Sequence, residues 1–247
     1  RTKQGYLKAV EGISFSLDEG QSLGFVGESG CGKTTIGMAL MGLMPPNGSV
    51  GQGRILFEGQ DLLEMTEAQR RETRWSQIAM IFQAAMNAMN PVQRVGDQIA
   101  EAILVHNPAV EKEAALHQVE ELFDLVGIPR DRLRGYPHQY SGGMKQRAII
   151  AMALACKPKL IIADEPTTAL DVIVQDQILT EIKELQKEFN IGVIFISHDI
   201  SIVADMCQDI AVMYAGQMVE YGPREAVFDS PVHPYTKALL SSFPTIT

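Results

Sequence analysis

Residues 22–35 read SLGFVGESGCGKTT, and the reading of this stretch decides the fold. Ser22 to Val26 is a short apolar run of strand type, and Gly27 to Thr35 is a glycine-rich loop. The following TTIGMALMGL has the composition of a helix. Gly27, four residues, then Gly32-Lys33-Thr34 satisfies the phosphate-loop pattern in its strand, loop, helix setting. Glycines let backbone N–H groups turn inward around phosphate oxygens, and the helix presents its positive N-terminus to them. Lys33 is expected to reach the terminal phosphates and the Thr34 hydroxyl to ligate Mg²⁺. The expected cradle comprises Gly27, Ser29, Gly30, Cys31, Gly32, Lys33, Thr34 and Thr35. The competing reading, a glycine turn with a surface lysine, does not account for the strand before and the helix after. Cys31 reads as a small loop residue, since no second cysteine is placed to pair with it.

Outward from the loop, the chain alternates strands and helices. Upstream, Ile13, Phe15 and Leu17 alternate in strand fashion before the turn at DEGQ. Downstream, PPNGSVGQG is a break and GRILFEG a further strand. From about Ala84 to Gly135 the pattern is mainly helical; EKEAALHQVEELFDLVGI puts Leu116, Val119, Leu122, Phe123 and Val126 on one face. KLIIAD and IGVIFIS are continuously apolar, as strands buried in a parallel sheet are, and the helix between them carries Ile178, Ile182, Leu185 and Phe189. IAVMYAGQMVEYG predicts a hairpin turning near Ala215 and Gly216, before a helical tail. The expected fold is α/β: one domain over residues 1–247 with a mainly parallel sheet core, an antiparallel β portion and an inserted helical subdomain at about 84–155.

Composition narrows the partners. A chain of 247 residues, 46% hydrophobic, buries a substantial core, and a net charge of −9 argues against a nucleic-acid partner met through a basic face. The longest apolar run, AIIAMALAC, is about half of the roughly 20 residues that cross a bilayer. Three separated cysteines without metal-ligand spacing suit a reducing cytosol.

Two carboxylates follow the strand in LIIADEP. In open α/β sheets ligands gather at the carboxyl ends of strands, so Asp164 is expected to bind Mg²⁺ and Glu165 to orient and deprotonate a water attacking the terminal phosphate. An exposed acidic turn is the alternative. His198 ends the next apolar strand; its position favours a γ-phosphate contact over a purely structural role.

With YSGGMKQR (Tyr140 to Arg147) and ADEPTTALD, the chain resembles, over nearly its whole length, the nucleotide-binding subunit of an ATP-binding-cassette (ABC) transporter. Ser141, Gly142 and Gly143 correspond to the family signature, and physically they are a hydroxyl and a glycine pair opening a helix, another phosphate-binding tip. The resemblance implies two composite ATP sites in a head-to-tail dimer, the signature of one subunit closing over ATP held by the loop of the other. It implies that Gln83 contacts Mg²⁺ and senses the membrane subunit, that Asp171 lies at the dimer interface, and that His198 is the switch histidine. Tyr6 is either the aromatic that stacks on adenine or an ordinary strand residue.

ALMGLMPPNGSVGQGRILFEGQDL, VGDQIAEAI, Met144 and SPVHPYTKALLSSFP are similar to the oligopeptide, dipeptide and nickel importer ATPases. The resemblance implies Mg-ATP hydrolysis powering solute import. It also implies a second ATPase subunit, identical or sister, transmembrane permease subunits, an extracytoplasmic solute-binding protein met indirectly, and a peripheral place on the cytoplasmic membrane face. An iron–sulfur cluster is not expected, and the family's N-terminal strand and C-terminal extension are expected to be missing. Ala84-Ala85 stands where an acidic-Pro pair is usual, which removes a charge and a rigid turn. A soluble ABC-type ATPase acting on DNA or the ribosome, an exporter ATPase and a non-hydrolysing regulatory module are the competing readings.

Overall fold

The computed structural model describes residues 5, 7–83, 85, 88–168 and 170–242. In chain order the first elements are β1 (Ser22–Val26), α1 (Lys33–Leu40), β2 (Leu56–Phe57), β3 (Gln60–Asp61), α2 (Glu67–Thr73) and β4 (Ile78–Ile81). Then come α3 (Val95–His106), α4 (Lys112–Leu125), α5 (Gly142–Leu154), β5 (Leu160–Asp164) and α6 (Val172–Phe189). The chain continues through β6 (Gly192–Ile196), α7 (Ile200–Met206), β7 (Asp209–Tyr214), β8 (Gln217–Pro223), α8 (Arg224–Asp229) and α9 (Pro234–Ser241). The described residues form two compact units, one up to Arg71 and again from Gly192 onward, the other from Glu72 to Ile191.

In the first unit β1 lies between two later strands, parallel to both: Phe25 is opposite Ile196 of β6 and Ala211 of β7. All five residues of β1 and of β6 are buried, which is why both read as unbroken apolar runs rather than alternating ones. Helix α7 packs so closely on β1 that a Cβ at Gly24 would stand 1.9 Å from Val203 Cγ1. β7 and β8 form the antiparallel hairpin, Tyr214 pairing with Gln217. Ala215 and Gly216 turn it with φ of 48° and 83°, the left-handed pair that matches strand twist.

Two expectations change here. Ile13, Phe15 and Leu17 do alternate in burial, but residues 11–17 form no strand; Phe15 instead packs edge-on against Phe25, ring centroids 5.2 Å apart. Of GRILFEG only Leu56–Phe57 forms a strand, in a two-residue hairpin with Gln60–Asp61.

In the second unit β4 runs parallel to β5, Ile78 to Ile81 opposite Leu160 to Ala163. Helices α3, α4 and α5 supply its core with Ile99, Ile103, Val119, Phe123 and Ile150. On α4 the fully buried line is Ala115, Val119 and Phe123, with Val126 just beyond, while Leu116 and Leu122 flank it half-buried. On α6 Ile178, Ile182 and Leu185 are buried, but Phe189 at the helix end is 41% exposed, past the last turn that meets the core. Among the described residues no helix is long and apolar enough to cross a membrane.

Candidate functional site

The phosphate loop leaves the carboxyl end of β1 and delivers the chain to α1. Gly27 and Gly32 carry φ of 146° and 107°, and a Cβ would meet Met213 O at 2.1 Å in the first and Ala9 O at 2.8 Å in the second. Only glycine fits both the backbone angle and the space. Gly32 caps α1 and has no side chain with which to take the N–H groups of its first turn, so the cap leaves the helix tip its capacity for an anion. Lys33 is only 6% exposed, and its ammonium donates to Gly27 O at 2.6 Å and Glu28 O at 3.0 Å, with Cys31 Sγ 3.6 Å away. The loop thus closes on its own lysine, and Cys31 is buried inside it. Ser29, Gly30 and Thr34 are exposed, Thr35 half-buried. His198 follows β6, the parallel neighbour of β1, and Ser197 N donates to Phe25 O at 3.1 Å, so His198 and the loop both lie beyond the carboxyl ends of these two strands.

The second unit holds the carboxylates. Asp164, the last residue of β5, is 1% exposed. Glu165 turns the chain with φ of 46°, a conformation that costs a non-glycine residue about 1–3 kcal/mol and is kept where the surroundings impose it. Its Oε2 accepts two hydrogen bonds, from Gln83 Nε2 at 2.8 Å and from Thr168 Oγ1 at 2.9 Å. Two residues expected to serve the same chemistry, Gln83 and Glu165, are therefore in direct contact. Thr168 carries no role in the sequence reading, although it stands three residues after Glu165 in the quoted motif.

Ser141 caps α5, its Oγ accepting from Met144 N at 3.2 Å, and Asp171 caps α6, its Oδ1 accepting from Val174 N at 3.0 Å. The two helix starts touch: a Cβ at Gly143 would stand 2.8 Å from Val174 Cγ1. The small residues of SGG thus let α5 approach the beginning of α6. Tyr6 lies outside the described residues.

The sequence model of the family described as ABC transporter matches residues 10–168. The chain belongs to the ABC transporter family. A second model, the oligopeptide/dipeptide transporter C-terminal region, matches residues 219–247. The dipeptide transport ATP-binding protein DppD of Bacillus subtilis (strain 168) is 50% identical over 99% of this chain and 74% of its own length. The oligopeptide transport ATP-binding protein OppD of the same organism is 49% identical over 100% of this chain and 69% of its own. Among solved structures, cbiO1 from Clostridium perfringens, part of the ABC transporter complex cbiONQ, superimposes with a TM-score of 0.77. It is 28% identical, covering 90% of this chain and 84% of that one. As an ABC-family chain it is a nucleotide-binding protein with the mixed α/β fold of the cassettes.

Proposed function

We propose that this chain is the ATP-binding and ATP-hydrolysing subunit of a peptide importer. The observation that carries the reading is the buried Lys33 in a glycine loop at the uncapped start of α1, a site fitted to polyphosphate. Peptide as cargo is supported by the names of the relatives and by the C-terminal region match.

Each residue has a role. Lys33 exchanges its loop carbonyls for the terminal phosphates, and the loop and α1 N–H groups of Gly30 to Thr35 bind the bridging and outer oxygens. Glu165 accepts the proton of the attacking water, its carboxylate steered by Gln83 and Thr168. His198 contacts the γ-phosphate. Thr34 in the first unit offers Mg²⁺ a hydroxyl, and Gln83 and Asp164 in the second offer an amide oxygen and a carboxylate, oxygen donors of the kind that Mg²⁺ takes. Magnesium held by such donors would neutralise phosphate charge. Ser141, Gly142 and Gly143 grip the nucleotide of a second ABC subunit, with Asp171 at that interface. Such a subunit works at the cytoplasmic face of the membrane against separate permease subunits, supplied by an extracytoplasmic solute-binding protein.

Phosphate release measured alongside nucleotide binding tests the reading. Glu165→Gln is expected to bind Mg-ATP as the parent does and to turn over roughly 10²- to 10⁴-fold more slowly, the usual worth of a general base. Lys33→Ala is expected to lose binding itself. Parental turnover in Glu165→Gln would remove Glu165 from the chemistry.

A further inference from the structure

The segment after the β7–β8 hairpin is tied down residue by residue. Glu220 of β8 accepts from Val232 N at 2.7 Å and His233 N at 3.0 Å. His233 then caps α9, its Nδ1 accepting from Tyr235 N at 3.2 Å, and Pro234 pre-sets the first helical turn. These constraints aim Tyr235 at one place. Its ring lies on that of Tyr214 at the end of β7, centroids 4.6 Å apart and planes at 44°. Its hydroxyl oxygen accepts from the backbone N–H of Glu28, at 3.2 Å.

Glu28 is the second residue of the phosphate loop. Its carbonyl accepts from Lys33 Nζ at 3.0 Å and from Cys31 N at 3.3 Å. One residue is therefore held from both sides, its N–H by Tyr235 and its carbonyl by the lysine of the cradle. We propose that Tyr235 is a positioning residue for the phosphate loop, through which the C-terminal segment from Glu220 to α9 sets the affinity for the nucleoside triphosphate. The inference rests on the nucleotide reading above and extends it. The loop is a short run of backbone with several glycines, so its conformation in the absence of phosphate depends on such external ties. A loop pre-set to its binding shape loses less conformational freedom when the ligand arrives. The residues of the latch, Glu220, His233 and Tyr235, all fall within residues 219–247, the stretch matched by the C-terminal region model. In the sequence His233 and Tyr235 appear only within a subfamily marker and Glu220 within the hairpin, because nothing local signals a contact across 207 positions.

Tyr235→Phe in the full chain removes the oxygen and keeps the ring on Tyr214. Loss of one neutral hydrogen bond to a backbone amide predicts a rise of roughly three- to tenfold in both the dissociation constant and KM for Mg-ATP, with kcat essentially retained. Hydrogen–deuterium exchange, run without nucleotide, should speed up in the peptide spanning Gly27 to Lys33 and stay at the parental rate in the peptide spanning β6. A role confined to anchoring α9 would instead raise exchange in α9 and leave KM where it was. Tyr214→Leu, which keeps the hydroxyl but removes the ring beneath it, should move the loop exchange and KM in the same direction by less. Parental KM together with parental loop exchange in Tyr235→Phe overturns the proposal. A parental chain that binds no Mg-ATP would overturn the nucleotide reading instead, and the nucleotide-free exchange keeps the two failures apart.

Discussion

At Glu181 one carboxylate oxygen meets Arg147 Nη2 at 2.5 Å, while the other is buried without a hydrogen-bond partner among the described residues. Burial raises the pKa of this group, against the lowering effect of the Arg147 charge and hydrogen bond, and the Glu184 charge adds to the rise. A carboxylate raised in the folded state holds more protons there than in the unfolded chain between the ordinary and the shifted value. Stability from this group is therefore greatest below about pH 4.3 and declines as pH rises through the shifted value. Glu181→Gln stays neutral throughout, so its thermal midpoint minus that of the parent should grow between about pH 4 and pH 7. A flat difference across that range would remove the burial cost. Arg147 also donates to Val126 O at 2.7 Å, so truncating the arginine instead leaves two groups unsatisfied and is expected to destabilise at every pH. Glu165 and Glu181 show which acids a sequence reveals. The place of Glu165 just beyond β5 was legible because four apolar strand residues lead into the Asp-Glu pair, downstream of a phosphate loop. Glu181 sits among other acids and lysines on α6, where periodicity does not say which carboxylate turns inward.

Helix starts are the elements through which the signature and the acidic turn are held. Asp171 closes the first turn of α6 by accepting from Val174 N, and loss of such a cap costs about 1 kcal/mol. Asp171→Ala should accordingly lower the thermal midpoint by about 2–4 °C in a protein of this size. Asp171→Ser, which can cap but carries no charge, should restore the midpoint. If hydrolysis recovers with it, the carboxylate serves only the helix; the interface role proposed for Asp171 predicts that hydrolysis stays low. Elements of this kind were readable because their signals are local: a capping side chain, a buried apolar run, a glycine pair at a hairpin tip. β1, β5, β6 and the β7–β8 hairpin all follow from such signals. The segment from Ile13 to Leu17 did not, because alternation reports which side chains face inward and not whether a neighbouring backbone pairs with it. Phe189 ends α6 as its apolar spacing predicts, yet it is exposed, since the apolar stripe of α6 continues one turn past the core it packs on. The Tyr235 latch and the Gln83 bond to Glu165 span 207 and 82 positions, depend on tertiary placement and have no sequence period.

For the whole molecule, the proposed pairing of two ABC subunits sets electrostatics against nucleotide. Each copy carries a formal charge of −9, so two copies repel, and bound triphosphate adds negative charge at the contact. Association must then be carried by the grip of Ser141 to Gly143 on the phosphates, and it should be helped by salt that screens the remaining charge. At about 0.1 M salt the screening length is about 10 Å, short against the width of a folded chain. In sedimentation velocity, Glu165→Gln with Mg-ATP is expected to run as a dimer whose fraction rises between about 0.01 M and about 0.15 M salt. With ADP the same chain should run as a monomer, since the γ-phosphate that both subunits hold is gone. A dimer fraction that falls with salt would mean that local pairs of opposite charge, rather than net charge, govern the interface. A chain that binds Mg-ATP tightly yet stays single at every salt concentration would assign the second half of the site to a different subunit.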